Sequence, residues 1–346
     1  MRVLIIKTSA LGDVVHSLPV IDYLHQVAPG MEIDWVVEEP FLPVLEHNPN
    51  LTRIHVVRTK KWRKAPFSPE TRADLKALRN ALRERSYDLV FDIQGNVKSG
   101  LIAWLSGAGE RIGFSFEVLQ EKLNRIFTTR RIPFREIDHQ VGDRYLRVVS
   151  APFGRDYRDM SLTGDICSAP EDEEAAVRYL AQLPGNPIFM FQVGTTWKTK
   201  LWHPEGWVEL GRRIAARYPG STILINWGSP EEQALGERIV AEVGTAVRLL
   251  PWLRIRELIP VIRRVDLLIG GDTGPLYLAA AVGTPTVAFY RATSAASYAP
   301  QGKRHIAIQS PMECAGCQRT ACDRDAECRA SITVDALFEA VVGLIG

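Results

Sequence analysis

The alternation of short apolar runs with amphipathic segments is the feature that most constrains how this chain folds. In the first half the apolar runs are four or five residues long, as strands buried on both faces are. The predicted strands are Val3–Lys7, Ile33–Val37, Ile54–Val57 and Leu89–Asp92, and the predicted helices are Val14–Val27, Glu70–Arg85, Lys98–Leu105 and Asp138–Val149. Strands that alternate with helices predict a parallel sheet covered on both faces.

The alternation starts again after residues 151–172, which contain Pro, Gly and Asp without periodicity and are predicted to be a linker. The second set of predicted strands is Ile188–Gln192, Thr222–Asn226, Leu267–Ile269 and Thr286–Tyr290, and the helices are Glu173–Leu183, Pro204–Arg217, Glu231–Val243, Gly274–Val282 and Val334–Leu344. A length of 346 residues fits two domains. We therefore predict two doubly wound α/β domains, residues 1–160 and 161–346, with a cleft between them.

Charge and hydropathy exclude several classes of protein. The 42 basic and 40 acidic residues leave a net charge of +2, so no global field favours nucleic acid. No apolar run approaches the roughly 18 residues that span a bilayer. The apolar core Val3–Ile6 is too short for a signal peptide. We expect a cytoplasmic protein with no nucleic-acid partner.

The segment after the first predicted strand contains Ser9, Gly12 and Asp13. Ligands of open α/β sheets bind at the carboxyl ends of strands, and a helix start offers N–H groups to an anion. A carboxylate there can act as a general base, or Ser9 or Asp13 can simply cap the helix. The segment lacks the glycine fingerprints of dinucleotide and P-loop sites, which argues against a dehydrogenase.

Two loops in the second half also join a strand to a helix. The first contains Thr195, Thr196 and Lys200, whose hydroxyls and ammonium are suited to a diphosphate. The second contains Asp272, Thr273 and Gly274. An aspartate would repel phosphate, so Asp272 is expected to bind a sugar hydroxyl or loop amides. Each loop alone also fits an ordinary capped turn.

Two basic stretches stand out against the neutral total. Residues 53–64 include Lys60, Lys61, Arg63 and Lys64 and no acidic residue, and residues 122–135 contain five basic residues and again no acidic residue. Such local stretches favour an anionic substrate, although a solvated charged face has the same pattern.

Four of the five cysteines fall within 15 residues: Cys314, Cys317, Cys322 and Cys328. Four thiolates at this density fit a structural zinc ion or an iron–sulfur cluster. The spacing lacks the paired C-x2-C motifs of a zinc ribbon, so free thiols or disulfides remain alternatives.

The ordered motifs resemble the lipopolysaccharide heptosyltransferases, inverting glycosyltransferases that use ADP-heptose. The likeness runs along most of the chain, and two motifs resemble the heptosyltransferase I branch in particular. It rests on the segments Lys7–Asp13, Asp34–Glu39, Trp62–Ser68, Phe91–Ser99, Thr195–Trp202, Trp227–Glu232 and Asp272–Gly274. The cysteine run is more similar to heptosyltransferase II, so whether the first or the second heptose is added stays open.

The resemblance implies a GT-B fold with an N-terminal acceptor domain and a C-terminal donor domain. The last helix is expected to pack back on the N-terminal domain. The same resemblance implies that Asp13 is the catalytic base. No carboxylate pair or DxD-like metal motif is found at the proposed site, so we expect no catalytic metal and no required cofactor. Donor contacts are implied for Thr195, Thr196, Lys200, Glu232, Asp272, Thr273, Gly274 and Tyr277, with Lys200 also catalytic. Acceptor contacts are implied for Ser9, Gly12, Lys60, Lys61, Arg63 and Lys64.

Two assignments of site residues stay open at this level. Glu231 competes with Glu232 for the ribose, and Tyr277 stands where heptosyltransferase I usually has His. The implied partners are an ADP-sugar, a glycolipid of the Kdo–lipid A type, and the anionic inner face of the inner membrane as a peripheral surface. A related GT-B enzyme with a different nucleotide sugar, or a non-catalytic module that binds an anionic glycolipid, would share parts of this pattern.

Overall fold

The computed structural model describes residues 1–119 and 121–346, which form two compact units, Met1–Cys167 and Ser168–Gly346. The division falls within the segment 151–172 that lacks periodicity. Within the described residues, no helix is both long and apolar enough to cross a membrane. Each unit is described separately.

The first unit is built on one parallel sheet of six strands in the order β3-β2-β1-β4-β5-β6. The strands are β1 (Arg2–Ile6), β2 (Glu32–Glu38), β3 (Arg53–Val57), β4 (Leu89–Asp92), β5 (Glu110–Phe114) and β6 (Arg130–Ile132). The four predicted strands and their parallel pairing are confirmed. The sequence analysis missed β5 and β6, because β5 has a charged start and β6 is three residues long with two arginines.

Six helices and short 3-10 turns connect these strands. The helices are α1 (Leu11–Ser17), α2 (Pro19–Val27), α3 (Thr59–Lys64), α4 (Pro69–Arg85), α5 (Val97–Leu105) and α6 (Val141–Ser150), and the turns are Glu39–Val44, Phe116–Val118, Lys122–Ile126 and Tyr157–Asp159. The predicted single helix Val14–Val27 is wrong, because Pro19 lacks an N–H and begins a new helix instead.

The second unit repeats the architecture with a sheet in the order β12-β11-β10-β7-β8-β9. Its strands are β7 (Ile188–Gln192), β8 (Thr222–Asn226), β9 (Val247–Leu249), β10 (Leu267–Gly271), β11 (Thr286–Tyr290) and β12 (His305–Gln309). Its helices are α7 (Pro170–Leu180), α8 (Pro204–Arg217), α9 (Pro230–Val243), α10 (Ile255–Ile262), α11 (Gly274–Ala281), α12 (Ala295–Tyr298), α13 (Asp325–Ala330) and α14 (Val334–Ile345). The last helix, α14, packs against α8, β11 and β12.

Different side chains fill the two cores. In the first unit aliphatic residues dominate between the sheet and helices α4 and α5, with Leu82 and Ile102 buried against Leu4 and Val90. In the second unit Phe191, Trp202, Trp207 and Phe289 form a cluster with ring centroids 5.0–6.0 Å apart. Rigid cores of this kind fix the strand ends from which loops project.

Both sheets have the strand order of a Rossmann fold, and each has one point where the order reverses. It lies between β1 and β4 in the first sheet and between β7 and β10 in the second. Ligands of open α/β sheets bind beyond the carboxyl ends of the strands at such a point. The loops that carry Asp13, Thr195 and Asp272 all follow strands at these two points.

Candidate functional site

Asp13 lies in the first turn of α1, directly beyond the end of β1. Its Oδ1 atom accepts a hydrogen bond of 2.8 Å from the Tyr145 hydroxyl on α6 and lies 3.8 Å from Lys7 Nζ. The side chain is 37% exposed, whereas that of Lys7 is 4% exposed. The carboxylate is therefore held on one side by Tyr145 and Lys7, and its other side is open to solvent.

The partners of Asp13 set its protonation state. Burial alone would raise the pKa of Asp13, but the charge of Lys7 and the hydrogen bond from Tyr145 hold that pKa below its usual range. Burial lowers the pKa of Lys7, whose Nζ donates to Tyr145 at 2.9 Å and to the Ile93 carbonyl. Asp13 is accordingly ionised at neutral pH, as a general base must be.

A second loop fixes the backbone before Asp13. Gln94, after β4, accepts hydrogen bonds of 3.0 Å at Oε1 from the amides of Thr8 and Ser9. The buried Asp92 holds the Gln94 loop by accepting from the Gln94 and Gly95 amides at 3.1 and 3.0 Å. Burial raises the pKa of Asp92. The two loops at the reversal point are thus tied together.

The alternative that Asp13 caps α1 holds for one of its oxygens only. Asp13 Oδ2 accepts from the Ala10 amide at 3.2 Å, and no side chain caps the helix at Ala10. The other oxygen faces Tyr145. Ser9 and Gly12 are half-buried in the same loop and helix start, so the structure brings three predicted residues together at one strand end.

The basic stretch 53–64 contains the short helix α3. Trp62 packs against the apolar core and donates from Nε1 to Asp74 at 3.0 Å, which anchors the helix. The side chains of Lys60, Lys61, Arg63 and Lys64 are all exposed. Because one tryptophan faces the core, the four cations of α3 are presented to solvent.

In the second basic stretch, residues 122–135, two of the five basic side chains are paired with carboxylates. Arg135 pairs with Asp138 and Asp156 at 3.1 Å each, and Arg130 pairs with Glu110 at 3.3 Å. Arg131 donates to the carbonyls of Arg125 and Thr128. Only part of this stretch therefore offers free charge to an anion, unlike α3.

In the second unit, Lys200 and Asp272 meet across the reversal point with Lys200 Nζ 2.7 Å from Asp272 Oδ2. Lys200 Nζ also lies 4.4 Å from the centroid of the Trp197 ring. The Tyr277 hydroxyl donates to Asp272 Oδ1 from beneath, and burial raises the pKa of Tyr277 well above its usual value. Tyr277 is only 4% exposed, so its influence on a ligand passes through Asp272.

The remaining predicted residues surround this pair. Thr195 Oγ1 donates to the Asp272 carbonyl at 3.4 Å, Thr196 is exposed, and Thr273 and Gly274 begin α11. The threonine hydroxyls and the first N–H groups of α11 are suited to an anionic group. The structure thus collects the two loops predicted from sequence at one edge of the second sheet.

Glu232 stands at the start of α9, after β8. Its Oε2 accepts from the Gly228 amide at 2.7 Å, and burial raises its pKa. A Cβ atom on Gly194 would lie 1.8 Å from the Glu232 carboxyl carbon, so the carboxylate lies directly against this glycine. Glu231 is exposed. This geometry favours Glu232 over Glu231 as the residue that faces the loop 194–200.

The four clustered cysteines line one small cavity together with Thr199, Arg291 and Asp325. All are free thiols. Arg291 is buried and donates to the Leu201 carbonyl and, at 2.6 Å, to Asp325, while Thr199 donates to the Arg319 carbonyl at 2.7 Å. The cysteine segment therefore braces the loop that carries Lys200. Across residues 1–119 and 121–346, no three His, Cys, Asp or Glu side chains are placed to hold a metal ion.

Sequence reasoning missed Gln94, Tyr145 and Arg291 as supports of these loops. Tyr145 is 132 residues from Asp13 and Arg291 is 90 from Leu201, so no local spacing could have revealed either contact. Gln94 is the exception, because it follows a predicted strand at the same sheet edge and so shows the signal used for Asp13.

Comparison with known proteins identifies the family. The model of glycosyltransferase family 9 (heptosyltransferase) matches residues 75–326. The chain is 32% identical over 315 residues to lipopolysaccharide heptosyltransferase 1 of Escherichia coli strain K12, covering 90% of this chain and 95% of that protein.

Solved structures agree with this match. E. coli heptosyltransferase WaaC with ADP aligns with a TM-score of 0.81 and 28% identity, covering 99% of both chains. WaaC with ADP-2-deoxy-2-fluoro heptose aligns with a TM-score of 0.78 and 29% identity over the same share. The predicted GT-B fold and the resemblance drawn from the motifs are confirmed, and the chain is a glycosyltransferase that belongs to family 9, the heptosyltransferases.

Proposed function

We propose that this enzyme transfers L-glycero-D-manno-heptose from ADP-heptose to the Kdo of the lipopolysaccharide inner core. The observation that carries the proposal is the solvent-accessible carboxylate of Asp13, held by Tyr145 and Lys7 at the reversal point of the first sheet, in a chain 32% identical to a lipopolysaccharide heptosyltransferase 1. Transfer to the first heptose instead of Kdo is the alternative acceptor reaction.

The second unit binds the donor in this proposal. Thr195, Thr196, Thr273 and the start of α11 at Gly274 surround the diphosphate, and Lys200 supplies positive charge. Electrostatic stabilisation of this kind lowers the barrier as charge grows on a leaving group. The WaaC complex with ADP supports a nucleotide at this kind of fold.

Three carboxyl and hydroxyl groups complete donor recognition. Glu232 accepts hydrogen bonds from the ribose hydroxyls, and its carboxylate lies against Gly194 at the start of the loop 194–200. Asp272 accepts from a heptose hydroxyl, and Tyr277 positions Asp272 through the hydrogen bond described above. Lys200 then neutralises Asp272 in the free enzyme and the diphosphate in the complex.

The first unit supplies the base. Asp13 takes the proton of the acceptor hydroxyl as that oxygen attacks the anomeric carbon of the heptose. The bond to ADP breaks in the same displacement, and the anomeric centre is inverted. Ser9 and Gly12 line the acceptor-binding site beside Asp13. Lys60, Lys61, Arg63 and Lys64 on α3 bind the anionic groups of the acceptor.

No resident cofactor or metal takes part in this mechanism as we propose it. The four thiols share a cavity, but the described side chains do not form a ligand set of three or more. They do not fit zinc or an iron–sulfur cluster as they stand, and we assign the segment a structural role behind Lys200. Elemental analysis of protein purified without added metal tests this, since stoichiometric zinc or iron would overturn it.

We place the enzyme in the cytoplasm, peripherally on the inner face of the inner membrane, where a Kdo–lipid A acceptor would be anchored. The exposed cations of α3 support an anionic partner at this surface. We propose no nucleic-acid partner, since a net charge of +2 gives no global field that favours nucleic acid.

The decisive experiment is a transfer assay with ADP-heptose and Kdo–lipid A, with the product analysed by mass spectrometry. We expect one heptose to be added to Kdo-lipid A and none when the sugar donor is a UDP-sugar. A related enzyme with a different donor is the second candidate. It would be favoured if UDP raised the melting temperature more than ADP did.

A further inference from the structure

Four large apolar side chains are exposed on two elements of the first unit that pack against each other. Leu101 and Trp104 of α5 are 41% and 53% exposed, and Leu123 and Ile126 of the 3-10 turn Lys122–Ile126 are 68% and 66% exposed. We refer to these four residues as the apolar patch. Contiguous exposed apolar surface on a soluble protein marks an interaction site more often than it marks chance exposure.

Close packing of the turn on α5 brings the four together. A Cβ atom on Gly100 would lie 2.6 Å from the Phe127 ring and 2.8 Å from the Asn124 side chain, so the turn rests directly on the helix. The buried Asn124 donates to Asp92 Oδ2 and to the Asn96 carbonyl at 2.6 Å each. Because Asn124 and Phe127 face inward, Leu123 and Ile126 are left outward, beside the helix that carries Leu101 and Trp104.

Basic side chains border the apolar patch. Lys122 Nζ and the Arg125 guanidinium carbon lie 4.9 and 5.2 Å from the ring centroid of Phe116, which is itself 42% exposed. Residues 116–131 contain four basic and two acidic side chains. One of the acids, Glu121, accepts from the Val97 amide at 2.8 Å. Apolar side chains flanked by Lys and Arg are suited to the boundary between headgroups and acyl chains of an anionic bilayer.

The apolar patch also lies close to the acceptor loops. Asn124 of the turn and the Gln94 loop share Asp92 as an acceptor, and the Gln94 loop holds the backbone before Asp13. Lys98 at the start of α5 donates to Thr59 at 3.2 Å, which places the basic helix α3 beside α5. A bilayer against the apolar patch would therefore lie near both the proposed base and the proposed acceptor cations.

We infer that the apolar patch inserts into an anionic lipid bilayer and so holds the acceptor unit against the leaflet that carries the glycolipid. The inference rests on the proposed function for its biological setting, and it names the surface that the proposed peripheral contact uses. Leu123 and Ile126 enter the acyl boundary, while Lys122 and Arg125 remain at the headgroups.

The test is co-sedimentation of the full chain with vesicles of phosphatidylethanolamine that contain phosphatidylglycerol. The test variant replaces both apolar residues of the turn, Leu123→Ser with Ile126→Ser. We expect it to lower partitioning by about tenfold or more, since each change removes a branched apolar side chain that would be buried in the bilayer. The matched control is Val177→Ser with Trp252→Ser, two apolar residues that are 48% and 57% exposed in the second unit. The control variant partitions as the parent does.

Partitioning measured at low and at high salt separates the contribution of charge from that of apolar insertion. Lys122→Gln with Arg125→Gln lowers partitioning by roughly tenfold at low salt and by less at high salt, because headgroup attraction is screened. The Leu123 and Ile126 variant keeps its defect at both salt concentrations. Unchanged partitioning of that variant, or no binding of the parent to these vesicles, would overturn the inference.

Two further outcomes would assign the apolar patch to something else. A parent dimer that becomes a monomer in the Leu123 and Ile126 variant would show a subunit interface. An equal loss of rate with a water-soluble Kdo acceptor without acyl chains would show a role in the fold or site. Vesicle binding needs no transfer, so failure of the proposed heptose reaction leaves this test readable.

Discussion

The two units hold the same three side-chain types at the same topological position, but with opposite exposure. Beyond the first sheet, Asp13 meets Lys7 and Tyr145; beyond the second, Asp272 meets Lys200 and Tyr277. In the first set the carboxylate is 37% exposed and the lysine 4%. In the second the lysine is 16% exposed and the carboxylate 6%.

In the proposed mechanism, this difference lets one fold serve two tasks. An exposed carboxylate over a buried lysine offers a base to a neutral hydroxyl group. A more exposed lysine over a buried carboxylate offers a cation to a diphosphate. The strand order gives both sets their place, and the choice of which partner is buried gives each set its chemistry.

Removing the exposed carboxylate is expected to have the largest effect. Asp13→Asn keeps the shape of the side chain and removes the base, so kcat falls by about 10²–10⁴-fold. The affinity for ADP, measured by isothermal titration calorimetry, stays unchanged because the nucleotide is assigned to the other unit. A kcat within tenfold of the parent would contradict the role of Asp13.

Removing the more exposed lysine tests the second set. Lys200→Met withdraws positive charge from the leaving diphosphate, and kcat/KM falls by about 10²-fold. Lys198→Met is the matched control, since Lys198 is an exposed lysine that lies with Lys200 in the 3-10 turn Lys198–Lys200. Steady-state kinetics in which both variants lose equally would assign the effect to general charge and not to Lys200.

Removing the hydroxyl beneath Asp272 should have a smaller effect. Tyr277→Phe frees Asp272 to turn, which raises the donor KM by about tenfold while kcat changes little. Tyr218→Phe is the control, because Tyr218 is also buried in the second unit and its hydroxyl makes no hydrogen bond within residues 1–119 and 121–346. If kcat fell and the donor KM held, Tyr277 would act on the reaction and not on donor binding.

The comparison of the two sets also shows how far sequence reasoning reaches. Strand periodicity placed Asp13, Lys200 and Asp272 beyond strand ends, and the ordered motifs led to the family. Which partner is buried could not be read in this way, because Tyr145 reaches Asp13 from 132 residues away. The resemblance placed Tyr277 among the donor contacts, and its burial under Asp272 became visible only in the folded unit.

The same limit applies to the edges of the sheets. The strands β6 and β9 are three residues long, too short for a periodic pattern, and β12 is only partly buried. Central strands are buried on both faces and therefore read as continuous apolar runs. Sequence thus located the centres of both sheets, where the candidate sites lie, and missed three of the four edge strands, with β3 as the exception.

The smallest expected effect is a shift in pH dependence when the hydroxyl beneath Asp13 is removed. Tyr145 donates a hydrogen bond that lowers the pKa of Asp13, so Tyr145→Phe raises that pKa and moves the acid limb of kcat/KM to higher pH. The same bond stabilises the fold only while Asp13 is ionised, so the loss of unfolding free energy shrinks as pH falls through the pKa of Asp13. Tyr157→Phe is the control, because Tyr157 is a buried tyrosine that donates to Asp138 in the same unit, away from Asp13. An acid limb that shifts equally in both variants, or in neither, would separate Tyr145 from the base and break the parallel between the two sets.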